Sequence, residues 1–328
     1  MIKSVDKKFG WCFIGTGSLA KTVAKQLLSS GRHEIVSCYT RNPPRGEQFA
    51  NNFGCDFYMT AEAAMTAPGV EGVYIVTPHN AHYRYAVMAL ELGKPTLVEK
   101  AFTVTAAETD ELISLARERG VYLAEAMWTW FSRSAHGVKA WVDSGKIGRI
   151  RSADFTYHIK TTGRNDRHED KRRAGGALLD ITIYPITYAY RLWGMPIGIE
   201  ARGTLRNGID LGEDIALTYP DFKVNISASI DDFRGFEKMR IRGDEGEITS
   251  FMYHCTKGAT LKSRGRRERL RVVGPLFNSY LDEFDSVSED IRCGRVESSL
   301  VPLRATSDVM HILDEIRRQI GLIYDDLE

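Results

Sequence analysis

The apolar run Phe9–Ile14 passes without a spacer into Gly15-Thr16-Gly17-Ser18-Leu19-Ala20, where an amphipathic pattern begins. A strand that feeds a helix through closely spaced glycines is the opening of a βαβ unit, and few folds can accommodate it. Leu19, Val23 and Leu27 recur every four residues beside Ala20 and Ala24 until Gly31, which predicts a helix with one apolar face. Strands are predicted next at Glu34–Tyr39, Gly72–Val76, Thr96–Val98 and Val121–Glu125. Between them lie helical patterns at Gln48–Phe53, Tyr83–Leu92 and from Thr105 to Glu118, the first two stopped by Gly54 and Gly93. This alternation predicts an α/β fold with a doubly wound parallel sheet. Right-handed crossovers bring the strand C-termini to one rim, so Thr40-Arg41, Thr77-Pro78 and Glu99-Lys100 should line a single cleft.

The pattern changes after about Thr129. Ala135–Ser144 predicts a helix and Ile150–Ile159 a strand, and Gly175-Gly176 precedes a helix predicted over Ala177–Trp193. Short strand-like runs follow at Glu200–Arg206, Asp214–Tyr219, Lys223–Ile230, Lys238–Arg242, Glu247–Tyr253 and Leu270–Val273. They predict an open, largely antiparallel sheet in a C-terminal α+β domain. Helices at Phe277–Arg292 and Leu303–Ile320 end the chain. At 328 residues two domains are the default, here 1–126 and 127–328.

Composition narrows the function classes. The net charge of +1 gives no field that favours nucleic acid or an acidic membrane. No apolar stretch approaches a bilayer span, and MIKSVDKKFG has no secretory h-region. The cysteines Cys12, Cys38, Cys55, Cys255 and Cys293 are scattered, which suits a reducing cytoplasm better than a disulfide framework. The partner expected is a small-molecule substrate, with no nucleic acid and no membrane.

In the glycine loop, Gly15 permits the tight turn, Gly17 lets backbone N–H groups approach a pyrophosphate, and Ala20 keeps the helix close to the sheet. A ligand-free tight turn is the competing reading. The second strand ends in Tyr39-Thr40-Arg41 with no carboxylate for a ribose 2′-hydroxyl. Thr40 can hydrogen-bond a 2′-phosphate and Arg41 can pair with it, so NADP is expected over NAD, with a solvated Arg41 as the alternative. Asp180 and Tyr184 are four residues apart among Leu178, Leu179, Ile181, Ile183 and Ile186. Such groups need polar partners, and they are either catalytic or a capping Asp beside a core Tyr.

Taken jointly, the loop at Gly15–Ala20, Thr77-Pro78…His82, Glu99-Lys100 and Gly175-Gly176…Asp180…Tyr184 resemble the Gfo/Idh/MocA oxidoreductases. Glu125-Ala126-Met127-Trp128-Thr129 looks most like the dimeric dihydrodiol dehydrogenase branch, which also oxidises D-xylose. The resemblance implies a Rossmann domain and a nicotinamide-dependent dehydrogenase that commonly dimerises through its C-terminal sheet. It also implies that Lys100, Asp180 and Tyr184 face the nicotinamide, with Gly15, Thr16, Gly17, Ser18, Leu19, Ala20, Thr40, Arg41, Thr77, Pro78, His82, Glu99 and Lys100 around the cofactor. Ala101 stands where the family usually has proline, which removes a restriction on Lys100 and bears on efficiency more than reaction type.

Oxidising a carbinol requires a proton acceptor, and a free phenol with a pKa near ~10 is a poor one at neutral pH. Tyr184 is expected as the acid/base, with the Lys100 ammonium favouring its phenolate and Asp180 orienting substrate or Lys100. The alternative makes Lys100 itself the proton-transfer group. Glu99 is expected to anchor backbone or ribose, and Trp128 to form either an aromatic wall of the substrate site or core at the domain junction. His79 and His82 have no acidic or Cys companion at zinc spacing, so no metal is expected. The basic stretch Lys262–Arg271 reads as a charge-protected strand or turn, and Arg164–Arg173, with Asp166, as a surface loop covering the substrate side. The leading expectation is an NADP-linked dehydrogenase or reductase of a sugar, polyol or cyclic diol. An NAD-linked inositol or aldose dehydrogenase and a non-catalytic dinucleotide sensor are the alternatives.

Overall fold

In the computed structural model the strand–helix alternation forms one sheet and the later strand-like runs form another. The structure describes residues 7–163, 167–233, 235–255, 258–272, 279–324 and 327. Arg164 and Asp166 of the expected loop, Val273 of the last expected strand and Phe277 of the penultimate helix lie outside them. The chain divides into two compact units, one drawing on 1–103, 107–127 and 280–303, the other on 104–106, 128–279 and 304–328.

The first sheet is built from β1 (Phe9–Ile14), β2 (His33–Tyr39), β3 (Asp56–Tyr58), β4 (Gly72–Ile75), β5 (Thr96–Glu99) and β6 (Leu123–Ala126). Its connecting helices are α1 (Ser18–Ser30), α2 (Pro43–Phe53), α3 (Ala61–Met65), α4 (His82–Glu91) and α5 (Ala106–Arg119). The order β3-β2-β1-β4-β5-β6 is parallel throughout. It reverses direction between β1 and β4, the switch point where ligands enter such sheets.

The second unit contains α6 (Arg133–Asp143), β7 (Ile150–His158), α7 (Ile183–Trp193), β8 (Gly198–Arg206), β9 (Ile209–Thr218) and β10 (Lys223–Ser229). It continues with β11 (Glu237–Gly243), β12 (Gly246–Phe251), β13 (Gly258–Ser263) and β14 (Arg266–Arg271). The strand order is β14-β13-β12-β11-β7-β10-β9-β8, antiparallel except for the central β7–β10 pair. The basic stretch forms an edge hairpin across Arg264-Gly265, and its arginines protect the open edge of β14. Two helices follow, α8 (Ser279–Arg292) and α9 (Leu303–Ile320).

In the first unit Val73, Ile75, Val98 and Leu123 pack against Ala86, Ala89 and Leu90 of α4 and Leu112 and Ile113 of α5. Trp11 and Tyr74 meet Phe284 of α8 edge-on, at 4.8 and 4.9 Å between ring centroids.

The helix expected without interruption over Ala177–Trp193 is corrected. Leu178–Thr182 is a π turn, and regular α-helix begins only at Ile183. Pro185 supplies the reason, since its ring cannot sit over the carbonyl of residue 181 in a tight α turn, and a wider turn relieves the conflict.

Candidate active site

In the first unit the glycine loop has the shape the spacing predicts. Gly15 has φ +113°, and a Cβ there would lie 2.5 Å from the Val76 carbonyl oxygen of the neighbouring strand end. Its N–H donates to the Tyr39 carbonyl at 2.9 Å, which ties the loop to β2. Gly17 is the N-cap of α1 with no side-chain cap, and open space lies where its Cβ would be. The hydroxyls of Thr16 and Thr77 are buried and find no partner among the described residues. Amide donors without a cap, open space before Gly17 and two idle buried hydroxyls at one switch point fit a dinucleotide pyrophosphate. Ser18 is exposed and Leu19 half-buried on the first turn of α1, while Ala20 is buried.

At the end of β2, Thr40 accepts from the Asn42 N–H at 3.5 Å and Arg41 is exposed. A second cation, which sequence reasoning missed, stands nearby. The Arg84 guanidinium lies 4.7 Å from the centre of the Tyr85 ring. Burial and then the Tyr39 hydroxyl raise the Tyr85 phenol above its ordinary value, and the Arg84 and Arg41 charges oppose that rise. Both arginines therefore act on one spot at the mouth of β2.

His82 is fully buried, with Nδ1 2.9 Å from the Ala101 carbonyl oxygen and Nε2 2.9 Å from that of Thr77. It staples the turn after β4, which contains Pro78, to the turn after β5. Both contacts can be hydrogen bonds only if both ring nitrogens carry protons. Glu99 accepts from the Tyr74 hydroxyl at 2.6 Å and from the Lys100 N–H at 3.2 Å, so its carboxylate anchors the backbone at Lys100. The Lys100–Ala101 peptide is cis, and Lys100 is 9% exposed.

Behind Glu99 lies a carboxyl with no assigned role. Glu283 of α8 is fully buried, and neither of its oxygens has a partner among the described residues. Burial pushes it well above the ordinary carboxylate range, and the charges of Glu99 and Glu125 add to the rise. A raised carboxyl holds its proton in the fold, so its stability contribution is full below the ordinary Glu range and declines as pH climbs toward the raised value. Glu283→Gln is expected to gain melting temperature over wild type, with a gain that grows from about pH 5 to about pH 8. The slope is about 1.4 kcal/mol per pH unit at most, and a gain independent of pH would refute it.

In the second unit Asp180 and Tyr184 are 7% and 8% exposed. His168 Nδ1 lies 2.9 Å from Asp180 Oδ2, and Trp128 Nε1 donates to the Tyr184 oxygen at 3.2 Å. Trp128 meets the Tyr184 ring edge-on at 6.1 Å, and the His254 ring is 5.3 Å from Tyr184 and stacked on Tyr157 at 5.0 Å. Glu237 fixes His254, accepting from its N–H at 2.7 Å and lying 2.6 Å from its Nδ1. Burial first, then the charges of Glu237, Tyr184, Tyr253 and Asp180, hold Tyr157 well above the ordinary phenol range. It therefore remains a neutral wall.

This arrangement gives Tyr184 a donor to its oxygen inside an aromatic enclosure and gives Asp180 an imidazole partner. The structure brings Trp128 and Tyr184, both singled out in the sequence, into contact and pairs Asp180 with His168; His168, Tyr157, His254 and Glu237 were not singled out there. Trp130 stacks with Arg191 at 5.2 Å and belongs to the core of this unit. His79 and His82 face each other edge-on at 5.7 Å. Among the described residues no group of His, Cys, Asp and Glu is placed to hold a metal ion, and no helix is long and apolar enough to cross a membrane.

Residues 9–127 match the family model "Oxidoreductase family, NAD-binding Rossmann fold", and 136–249 match the "GFO/IDH/MocA C-terminal domain". The chain is 27% identical to the D-xylose 1-dehydrogenase (NADP(+)) of Hypocrea jecorina, over 97% of this chain and 93% of that one. It is 29% identical to the trans-1,2-dihydrobenzene-1,2-diol dehydrogenase of Mus musculus, over 96% and 97% respectively. The 3-ketoreductase KijD10 of Actinomadura kijaniata, solved in complex with NADP and TDP-benzene, shares the fold with a TM-score of 0.85. Its identity is 20%, and the match covers 96% of this chain and 98% of that one.

Proposed function

Since this chain belongs to the Gfo/Idh/MocA oxidoreductase family, we propose that it is an NADP-dependent dehydrogenase or reductase of sugars, polyols or cyclic diols. The reacting group is a secondary alcohol or its carbonyl. One observation carries the reading: a phenol, Tyr184, is enclosed by aromatic rings, accepts from Trp128 Nε1 at 3.2 Å, and lies one turn beyond the Asp180–His168 pair. The names of the relatives, a D-xylose and a dihydrodiol dehydrogenase, supply the substrate class.

When bound, the nicotinamide supplies the hydride acceptor or donor. Gly15, Thr16, Gly17, Ser18, Leu19 and Ala20 would hold its pyrophosphate through backbone N–H groups and the Thr16 hydroxyl. Thr77, Pro78 and Glu99 shape the rim. Thr40, Arg41 and Arg84 would take the 2′-phosphate. Tyr184 exchanges the hydroxyl proton, and the Trp128 N–H stabilises its phenolate by donating to the oxygen. The Lys100 ammonium favours the same phenolate, and Asp180, fixed by His168, orients the substrate hydroxyl. Trp128, Tyr157 and His254 exclude water from the phenol.

The test is turnover with NADPH and with NADH against a panel of sugars, polyols and cyclic diols. NADPH is expected to be preferred, and Arg41→Ala to raise its KM about tenfold with little effect on NADH. An NADH preference that survives Arg41→Ala would remove the NADP assignment, and tight NADPH binding without turnover on any substrate would remove the enzymatic one. The same reading makes the protein a cytoplasmic homodimer paired through the open face of the eight-stranded sheet; a monomer mass in sedimentation would remove that part.

A further inference from the structure

Under the π turn that carries Asp180, β9 buries two carboxyls that the proposed chemistry does not use. Asp210 has no exposed surface and Glu213 is 2% exposed. Asp210 Oδ2 accepts from the N–H of Leu178, the first residue of the turn, at 2.5 Å. Glu213 Oε2 accepts from the hydroxyl of Thr182, the last residue, also at 2.5 Å. Each carboxyl therefore holds one end of the turn. Gly176 just upstream has φ +122°, and a Cβ there would overlap the Asp210 carboxylate, so backbone closes directly over that group.

The remaining oxygens, Asp210 Oδ1 and Glu213 Oε1, are buried and find no donor elsewhere among the described residues. Two carboxyls buried together do not both ionise readily, because the charge of Asp210 raises Glu213. Burial raises both carboxyls, and the Asp210 charge raises Glu213 further, well above the ordinary range. The Leu178 N–H at the start of the turn opposes the rise at Asp210, and the Thr182 hydroxyl at its end opposes the rise at Glu213.

We propose that Asp210 and Glu213 are positioning residues that pin the two ends of the π turn to β9 and so set where Asp180 and Tyr184 point. The inference rests on the catalytic reading of those two residues. A buried carboxyl pair is a costly way to hold a helix when apolar packing would serve. Its use here fits a site whose groups must sit within a fraction of an ångström of a productive arrangement.

The test compares Glu213→Ala, Glu213→Gln and Thr182→Val in the full chain. Glu213→Ala is expected to lower kcat about 100-fold and Thr182→Val about tenfold, each with KM for NADPH within about twofold of wild type. Glu213→Gln should stay within about threefold of wild type, because its amide oxygen still accepts from the Thr182 hydroxyl. Hydrogen exchange over residues 177–184 should quicken in Glu213→Ala and Thr182→Val and return to wild-type rates in Glu213→Gln. That readout needs no substrate, so a chain inactive on every sugar and diol would refute the catalytic reading while the exchange pattern still reports on the pins. Should Glu213→Ala fail to fold, Thr182→Val and Glu213→Gln carry the comparison. Faster exchange in Thr182→Val with undiminished kcat, or unchanged exchange in both disruptive variants, overturns the proposal.

Discussion

Lys100→Met is expected to lower turnover about a thousandfold while NADPH binding stays within a few-fold of wild type. Methionine keeps the length and apolar stem of lysine and removes only the charge and its donors. A phenol with the ordinary pKa of about 10 is almost wholly protonated at neutral pH, so Tyr184 needs a persistent positive charge to serve as a base in alcohol oxidation. The Trp128 N–H donor to the Tyr184 oxygen contributes, but it is a neutral donor. Oxidation by the variant should therefore keep rising with pH beyond the point where wild type levels off. Tyr184→Phe separates the two assignments of the proton. With Tyr184 as acid/base, the phenylalanine variant loses turnover on a similar scale. With Lys100 as the proton-transfer group, it retains most of it. Near-wild-type turnover in Lys100→Met would remove that residue from the chemistry altogether.

How far such a site can be read in advance depends on where its partners lie along the chain. Gly15, Gly17 and the apolar stripe of α1 are local in sequence, and β1 and α9 have the bounds their patterns predict. Asp180 and Tyr184 stood out because polar groups inside an apolar run require partners. The partners themselves were not legible. Glu237 meets His254 because the β11–β12 hairpin returns the chain beside its own start, and the Met252 N–H donates to the Glu237 carbonyl at 3.1 Å. Register, not periodicity, makes that pair.

Arg84 is one exposed cation on an amphipathic helix, and only the crossover places it at the end of β2. The short strand β3 (Asp56–Tyr58) and α3 (Ala61–Met65) were missed because three and five residues are too few to show a period. The π turn was missed for a different reason. Pro185 was read as part of a continuous apolar pattern, whereas its steric demand on the preceding turn decided the local geometry.

Gly15→Ala is the second substitution expected to have a large effect, on binding and on stability together. With φ at +113°, any side chain at this position is held in a backbone region that costs about 1–2 kcal/mol. The added methyl would also lie 2.5 Å from the Val76 carbonyl oxygen and 3.2 Å from the Thr77 nitrogen. These are main-chain atoms at the end of a central strand, and the Val76 N–H already donates to the Ile14 carbonyl at 2.9 Å. No rotamer can relieve the overlap, so the loop must move away from β4. Overpacking of this kind costs about 1–3 kcal/mol, and with the backbone term the total is about 3 kcal/mol, or roughly 6–10 °C in melting temperature. The displaced loop also takes the Gly17 and Ser18 N–H groups off the pyrophosphate position, so NADPH affinity should fall about 100-fold. Gly17→Ala provides the internal control. Its Cβ would meet nothing within 4 Å and its φ of −72° suits any residue, so the fold should be unaffected and only the approach of the ligand hindered. A Gly15→Ala protein that melts with wild type and binds NADPH normally would mean that the loop is not the cofactor's phosphate site.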